Sequence, residues 1–335
     1  MKTIGAFSPG VLDLDAPRAT EKIAEAIREI VHRRLRRKGA VVGLSGGIDS
    51  SVTAALCARA LGKEHVLGVM MPEKDSSEDS LRLATVLAGH LGISTVVENI
   101  GPTLEALGCY RRRDEAIRLV LPEYGKGWKS KIVLPDFADN AQYAVFTLVA
   151  QSPDGAIRRV RLTPNAYLGV VAATNFKQRT RKMLEYYHAD RLWYAVAGTP
   201  NRLEYAQGFF VKNGDGSADF KPIAHLYKTQ VYQLSEYLGV PEEIRRRPPT
   251  TDTYSMAQSQ EEFYFSVPLH TMDLCMYAKN KGIPAEDVAA GIGISVEQVE
   301  RVYKSIDSKL SSTRYLQLHP QLIESVPEVA HNGST

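Results

Sequence analysis

The spacing of hydrophobic residues along the first hundred positions predicts alternating helices and strands. Apolar residues recurring every three or four positions predict helices at about 20–37, 52–61 and 81–91. A short apolar run predicts a buried strand at 41–44. A second strand fits 66–70, and a third is predicted at 94–97, after Gly92. This alternation predicts an α/β fold with a doubly wound parallel sheet, in which ligands bind at the carboxyl ends of the strands.

The regular pattern stops between about residues 109 and 164. A polar helix at 112–120 is followed by two β-rich runs, 143–150 and 156–162. The residues between these runs, Ser152-Pro153-Asp154-Gly155, are typical of a tight turn. We therefore predict a β-hairpin inserted into the domain.

Beyond the insertion the helix and strand pattern resumes. It predicts a helix at about 167–188, a strand at 193–196, and helices at 222–238, 285–290 and 296–305. Residues 1–320 are interpreted as a single domain that carries the insertion at about 109–164. Residues 321–335 are predicted to form a flexible C-terminal tail.

A glycine- and serine-rich loop joins the first predicted strand to the following helix. It reads Gly43-Leu-Ser45-Gly46-Gly47-Ile-Asp49-Ser50-Ser51. A strand, a tight turn and a helix N-terminus form an anion site, because free amide N–H groups and the helix dipole converge there. The serine hydroxyls add donors, and the Asp49 carboxylate could hold Mg²⁺ against bound phosphates. For the loop taken alone, a plain glycine turn before an ordinary helix is the alternative.

The spacing excludes two commoner phosphate loops. A Walker loop requires a lysine that is missing here, and a dinucleotide fingerprint requires a third glycine. The remaining pattern, Ser-Gly-Gly-Ile-Asp-Ser, resembles the pyrophosphate loop of the ATP pyrophosphatases. Those enzymes split ATP between the α and β phosphates and bind the leaving pyrophosphate.

A second series of motifs downstream resembles the NAD⁺ synthase family. Gly198-Thr199-Pro-Asn-Arg-Leu-Glu204 follows a predicted strand, and Gly208-Phe-Phe-Val-Lys212-Asn-Gly-Asp-Gly216 follows it. Asp219, Lys228-Thr-Gln and Pro-Thr250 continue the series. The resemblance covers about residues 20–315 apart from the insertion. It implies a sheet of the adenine nucleotide alpha-hydrolase-like type.

The resemblance also implies roles for individual residues. Those expected to bind ATP and its pyrophosphate are Gly43, Ser45, Gly46, Gly47, Asp49, Ser50, Ser51, Thr199, Lys228 and Thr250. Those expected to bind the second substrate are Asn175, Arg179, Lys212 and Asp219. Asp49, Lys228 and Glu204 would be catalytic, with Mg²⁺ held by Asp49 and Glu204.

Several of these residues have ordinary structural alternatives. Glu204 and Lys228 are also compatible with solvated surface positions, and Thr199 with a helix N-cap. Met70-Met71-Pro72, with Ser76 and Ser77, fits either a loop beside the adenosine of ATP or a plain strand end.

The family's reaction is the amidation of nicotinic acid adenine dinucleotide (deamido-NAD) to NAD. The substrate carboxylate attacks the α-phosphorus of ATP, pyrophosphate leaves, and ammonia converts the acyl-adenylate to the amide and AMP. An enzyme can catalyse such a reaction by positioning the substrates and stabilising the developing charge, so no covalent nucleophile is expected. About 40 residues precede the loop, too few for the amidase domain of glutamine-dependent relatives. The resemblance therefore implies free ammonia, or ammonia delivered by another protein, and a homodimer.

Three features depart from the family pattern. One is the insertion at about 110–164, which falls just before the predicted substrate helix, and the other two are short segments. Ala257-Gln-Ser-Gln260-Glu261 stands where Gly-Gln-Thr-Asp-Glu is usual, and Ser312-Thr313-Arg314 where many members have His-Lys-Arg. These departures leave open an amide ligase of the same fold acting on a different carboxylate. A non-catalytic nucleotide-binding protein is a second alternative, against which Asp49, Glu204 and Lys228 together argue.

Composition restricts the other classes of function. Among 335 residues, 44% are hydrophobic and 24% are charged, as in a soluble globular protein, and no apolar run is long enough to span a membrane. The net charge of +3 argues against nucleic-acid binding. The three cysteines, Cys57, Cys109 and Cys275, are widely separated and predict reduced thiols. We expect a cytoplasmic protein with small-molecule substrates.

Overall fold

The computed structural model describes residues 7–133, 146–250, 253–256, 258–265, 267–324 and 326–327. The strands are β1 (Ala40–Gly43), β2 (Val66–Met70), β3 (Ser94–Val97), β4 (Lys129–Val133), β5 (Thr147–Gln151), β6 (Ile157–Arg161) and β7 (Ala195–Ala197). The helices before β4 are α1 (Ala16–Arg28), α2 (Ile48–Leu61), α3 (Glu78–Leu91), α4 (Gly101–Ala106) and α5 (Cys109–Arg118). Those after β6 are α6 (Pro164–Leu192), α7 (Arg202–Gln207), α8 (Lys228–Tyr237), α9 (Glu242–Arg245), α10 (Leu269–Asn280), α11 (Ala285–Ile292) and α12 (Val296–Gln317).

A parallel sheet with strand order β3-β2-β1-β7 forms the centre of the fold. Val41 of β1 is paired with Leu67 on one side and Val196 on the other. Its side chain packs with helices α4, α5 and α6, whereas Val42 packs with α1, α2, α3 and α8 on the opposite face. Because both faces are covered there, β1, β2 and β7 are apolar and almost wholly buried, whereas the edge strand β3, Ser-Thr-Val-Val, is largely exposed. The predicted doubly wound α/β fold is confirmed.

A second sheet connects α5 to α6. Strands β4, β5 and β6 are antiparallel neighbours in that order, and we call them the accessory sheet. Its inner side chains Ile132, Leu148 and Val160 pack with the start of α6 and the end of α5. The β5–β6 hairpin was predicted, although residues 143–145 of its first run lie outside the described residues. Strand β4 was not predicted, so the expectation of a hairpin alone is corrected to a three-stranded sheet.

Helices α10, α11 and α12 form a further cluster beside the main sheet. They pack around Phe265 and Met272, and the N-terminal residues Phe7 and Leu12 join them. Helix α8 begins at Lys228 instead of residue 222, because turns occupy 222–227. Helix α12 continues twelve residues past its predicted end. In the predicted tail, residue 325 and residues 328–335 lie outside the described part of the chain.

None of the helices within the described residues combines the length and the hydropathy that a transmembrane helix needs.

Candidate active site

The glycine-rich loop lies at the carboxyl end of β1, as the sequence predicts. Strand β1 ends at Gly43 and α2 begins at Ile48, with Gly47 as its N-cap. Gly46 has a φ of +71°, and a Cβ placed there would lie 2.5 Å from the Ser80 carbonyl oxygen. Only glycine fits such a close approach without strain. The loop therefore presents backbone N–H groups and the positive end of the α2 dipole to the space above the sheet.

The loop serines brace this turn. The hydroxyls of Ser50 and Ser51 donate to the Gly47 carbonyl at 3.0 and 2.8 Å, and Gly47 N donates to Ser45 Oγ at 3.2 Å. Ser45 and Ser50 also line the cavity described below, whereas Ser51 is fully buried beneath the loop. Ser51 and Gly46 thus shape the turn and lie outside the cavity wall.

Three predicted catalytic residues meet beside the loop. Lys228 Nζ donates to the Asp49 carboxylate, and its side chain is only 2% exposed. Glu204 accepts a hydrogen bond from Asn201 N at 3.1 Å, and Asn201 Nδ2 donates to Asp49 at 3.2 Å. Lys228 is therefore a buried partner of Asp49 and not a solvated side chain.

Two polar residues that sequence reasoning left without a role complete this cluster. Asn201 N-caps α7 and joins Asp49 to Glu204, and Gln260 Nε2 donates to Glu204 at 2.9 Å. Asn201 lies within the Gly198–Glu204 motif, and its place in that motif is the feature of the sequence that could have indicated its role. Gln260 was noted as a departure from the family pattern, and its contact spans 56 residues of sequence.

Burial and charge shift the pKa values in this cluster. Burial and the neighbouring Asp49 charge raise the pKa of Glu204, against the opposing effects of Lys228, Asn201 N–H and Gln260. Burial acts to lower the pKa of Lys228, but the charges of Asp49 and Glu204 raise it above its usual value. These shifts favour the protonated form of both side chains, and further positive charge beside Glu204 would favour its ionised form.

This charge balance fits a divalent cation. Two carboxylates and one ammonium leave one uncompensated negative charge when both acids are ionised. In the described ranges no group of three or more His, Cys, Asp or Glu side chains forms a protein-only metal site. Mg²⁺ commonly binds through one or two carboxylates together with substrate phosphates. Asp49 and Glu204 are therefore suited to hold Mg²⁺ when a nucleotide is bound.

A cavity of about 550 Å³ opens above the loop. The predicted ATP residues that line it are Gly43, Ser45, Gly47, Asp49, Ser50, Thr199, Lys228 and Thr250, and Glu204 lies beside them. Met70, Met71 and Pro72, with Ser76 and Ser77, also line the cavity. The structure therefore brings together the loop, the acid–lysine cluster and the segment after β2.

The residues predicted for the second substrate separate into two sets. Asn175, Arg179 and Lys212 line the cavity, and Arg179 Nε donates to the Lys212 carbonyl at 3.3 Å. Asp219 lies elsewhere: its carboxylate accepts from Val196 N at 2.7 Å and from the Tyr186 hydroxyl at 3.3 Å. Asn175 lies in the interior of α6, which begins eleven residues earlier at Pro164.

A buried ionic network lies behind the cavity and was not predicted. Lys177 Nζ is 2.8 Å from Glu73, 2.7 Å from Asp75 and 2.8 Å from the Thr253 carbonyl oxygen. Arg113 contacts Asp75 at 2.7 Å. Burial raises the pKa of Asp75, but the charges of Lys177 and Arg113 hold it below its usual value. The network joins α6 to the segments on either side of the cavity.

Comparisons with known proteins show the family to which this chain belongs. The fold and loop define an α/β protein of the ATP pyrophosphatase type, and the family model described as NAD synthase matches residues 19–121 and 114–311. The chain belongs to the NAD synthase family, as the sequence motifs predicted.

Named relatives match nearly the whole chain. It is 59% identical over 318 residues to the NH(3)-dependent NAD(+) synthetase of Mesorhizobium japonicum, covering 95% of this chain and 100% of that protein. The enzyme of the same name from Rhizobium meliloti is 55% identical over 323 residues, 96% of each chain.

Solved structures support the fold. The NH3-dependent NAD synthetase from Campylobacter jejuni aligns with a TM-score of 0.62 at 22% identity, covering 93% of this chain and 100% of that one. The NMN synthetase from Francisella tularensis gives 0.64 at 20% identity, covering 92% and 99%.

Proposed function

We propose that this chain amidates deamido-NAD to NAD, consuming ATP and ammonia and releasing AMP and pyrophosphate. As a member of the NAD synthase family it is a ligase that forms a C–N bond. The observation that carries the proposal is the cluster of Lys228, Asp49 and Glu204 at the glycine-rich loop, in a cavity that also contains Arg179 and Lys212.

The residues of the site would have two tasks: they would bind the substrates, and they would stabilise the negative charge that develops on the leaving pyrophosphate. The loop N–H groups, the serine hydroxyls and Lys228 would bind the pyrophosphate as negative charge accumulates on it. Mg²⁺ on Asp49 and Glu204 would supply additional positive charge to the phosphates. Arg179, with a planar guanidinium suited to phosphate or carboxylate, would orient the dinucleotide so that its carboxylate meets the α-phosphorus.

Relatives of high identity favour deamido-NAD over another carboxylate as the acceptor. Proteins sharing 55–59% of their residues with this chain are named for NAD synthesis. The two departing segments contribute Gln260 and Thr313 to the cavity wall. We interpret the departures of these two segments from the family pattern as variation within the family. These relatives are named NH(3)-dependent NAD(+) synthetases, which supports free ammonia as the nitrogen donor.

A cytoplasmic location is part of this proposal. Cys57, Cys109 and Cys275 are all free and buried. Unpaired cysteines are typical of reducing compartments.

Pyrophosphate release tests the function directly. The purified chain is mixed with ATP, Mg²⁺ and ammonium, with and without deamido-NAD, and both pyrophosphate and NAD are measured. We expect release that depends on deamido-NAD and forms NAD in equal amount. ATP binding without release would instead support a non-catalytic protein, and release only with another carboxylate would support the alternative ligase.

Variants of the cluster test the assignment of residues. Asp49→Ala and Glu204→Ala should abolish pyrophosphate release, because each removes a carboxylate proposed to hold Mg²⁺. Cys57→Ala, which alters a buried thiol of α2 away from the cavity, should retain turnover. Near-normal release by either carboxylate variant would refute the metal assignment.

A further inference from the structure

The accessory sheet contributes a side chain to the substrate cavity. Phe146 immediately precedes β5, and Tyr167 lies in the first turn of α6. Their rings are stacked, with centroids 4.1 Å apart and planes inclined by 12°. Both rings line the cavity and are only partly buried. The proposed reaction assigns a role to neither.

Helix α6 connects this aromatic pair to the catalytic end of the cavity. Tyr167, Val171, Gln178 and Glu185 line the cavity along one side of the helix. A Cβ on Gly43 would lie 2.7 Å from Glu185 Oε1, so Glu185 is adjacent to the end of β1. At 1.5 Å per residue, Tyr167 lies about 27 Å from Glu185 along the helix axis. The cavity therefore extends well beyond the pyrophosphate loop.

The far end of the cavity is aromatic and apolar. Tyr254 and Phe263 line it, with ring centroids 5.5 Å apart, and Val171 faces it from α6. Such a surface favours a planar ring, because it offers π-faces and apolar area. Stacking on aromatic side chains is a common way of holding nucleobases.

We propose that Phe146 and Tyr167 form a subsite that stacks on the adenine ring of a nucleotide substrate. This inference rests on the proposed function, which supplies two adenine-containing substrates, ATP and deamido-NAD. The aromatic pair lies far along α6 from the pyrophosphate loop, which favours the adenine of deamido-NAD over that of ATP. In deamido-NAD a pyrophosphate linkage separates the adenosine from the nicotinate that reacts, so the two ends of the molecule can occupy distant parts of the cavity. On this basis the accessory sheet determines substrate affinity.

Substitutions of Phe146 test the subsite. Phe146→Leu keeps an apolar side chain but removes the ring, and Phe146→Tyr restores a ring. We expect Phe146→Leu to raise the KM for deamido-NAD about ten-fold, equivalent to about 1.4 kcal/mol, with a smaller effect on kcat. Phe146→Tyr should recover the lost affinity. A rise in the KM for ATP instead would place the adenine of ATP in the subsite.

Trp128 provides the matched control. It packs in the core of the accessory sheet, with its ring 5.7 Å from Tyr124, and is not among the cavity-lining residues. Trp128→Leu should leave both KM values unchanged. An equal rise in KM for Trp128→Leu, or no rise for Phe146→Leu with either substrate, would overturn the proposal.

Calorimetric titration of each variant with deamido-NAD and with ATP separates this inference from the proposed function. If wild-type protein binds deamido-NAD but forms no NAD, the function fails while the subsite can still be measured. Unchanged binding constants in Phe146→Leu, with NAD formed normally, would reject the subsite alone.

Discussion

Gly46 and Gly47 occupy different backbone conformations, although they are adjacent in the pyrophosphate loop. Gly46 has a positive φ, and a Cβ there would lie 2.5 Å from the Ser80 carbonyl oxygen, whereas Gly47 has a φ of −92°. The nearest atom to a Cβ on Gly47 is Ser45 Oγ at 3.2 Å. The two positions therefore predict different responses to the same substitution.

We expect Gly46→Ala to lower the free energy of unfolding by about 1–3 kcal/mol, because a left-handed alanine is strained and its methyl group displaces backbone. Gly47→Ala should change it by less than about 1 kcal/mol. Urea unfolding of both variants measures this difference. Equal destabilisation would show that the loop backbone is not constrained as described.

Lys177 balances two buried carboxylates, so its removal should be costly. Its side chain and that of Glu73 are fully buried. Lys177→Met leaves these acids without their shared cation, and loss of one partner from a buried ion pair costs about 3–5 kcal/mol. Urea unfolding at neutral pH measures the loss.

Lys74 is the control for Lys177. It lies on the same segment, is exposed, and stacks over the Tyr110 ring at 4.1 Å. Lys74→Met should cost less than about 1 kcal/mol. Similar losses for the two variants would mean that the buried network contributes little to stability.

Sequence reasoning predicted the members of the candidate site that share a short motif and missed those brought there only by folding. Asp49 and Ser45 follow from the loop pattern, and Glu204 and Lys228 from the family motifs. Lys177 was an unassigned position between Asn175 and Arg179, and its partners lie 104 and 102 residues away. Asp219 is the opposite case: its place in the family motif predicted a substrate contact, whereas in the structure its carboxylate accepts a hydrogen bond from Val196 N.

Among the elements, those with strong local periodicity were predicted and those stabilised by distant contacts were not. Strands β2 and β3 agree with prediction at both ends. Strand β2 is a short apolar run, and β3, Ser-Thr-Val-Val, is marked by the helix-ending Gly92 just before it. Strand β4 reads Lys-Ser-Lys-Ile-Val, which is too polar to be recognised without its partner β5. The last turns of α12 contain Ser312 and Thr313, and Thr313 is anchored by the Gln207 carbonyl at 3.1 Å.

Residues 261–265, which bring aromatic rings to the cavity, are held by a half-buried lysine of α12. Lys309 Nζ donates to the Tyr264 carbonyl at 2.5 Å and lies 4.6 Å from the Tyr264 ring centroid. Burial lowers the pKa of Lys309 to about 8 from 10.5. Between these values the unfolded chain binds a proton that the folded chain has released, so this group makes stability rise with pH.

Lys309→Met should remove that contribution. The wild-type free energy of unfolding, relative to the variant, should rise by up to about 3 kcal/mol between pH 8 and pH 10.5, at 1.36 kcal/mol per pKa unit. Urea unfolding of both proteins across this pH range measures the difference in their free energies of unfolding. The other lysines and the tyrosines titrate in both proteins, so their contributions cancel in this difference. A difference that is constant with pH would contradict the half-buried, weakly basic lysine.

At the scale of the whole molecule, the cavity lies where separately packed parts of the chain meet. The parallel sheet supplies the loop, the accessory sheet supplies Phe146, and the C-terminal helices supply Thr313 and Tyr315. Lys212 links two of these parts, since its Nζ donates to the Tyr315 carbonyl at 3.0 Å. Substrate binding should therefore depend on how these parts are held together.

One exposed side of α6 suggests how the molecule associates with a second copy. Leu168, Met183 and Tyr187 on this side are 61%, 58% and 58% exposed. Exposed apolar side chains grouped on one surface are typical of protein interfaces. Arg179 lies one turn before Met183 on the same side, so an interface here would border the dinucleotide site. We propose a homodimer formed through this surface, with the two-fold symmetry usual for such assemblies.

Met183→Glu should dissociate this dimer, because it places a charge where apolar surfaces meet. Light scattering after size exclusion should give about twice the 37.0 kDa chain mass for the wild type and the chain mass for the variant. Tyr237→Glu, at a 45% exposed position of α8 on the opposite face of the sheet, should remain dimeric. We also expect Met183→Glu to raise the KM for deamido-NAD more than that for ATP, since Arg179 borders the interface and the pyrophosphate loop does not. A wild type that is monomeric throughout the concentration range, or a dimeric Met183→Glu, would assign the apolar side of α6 another role.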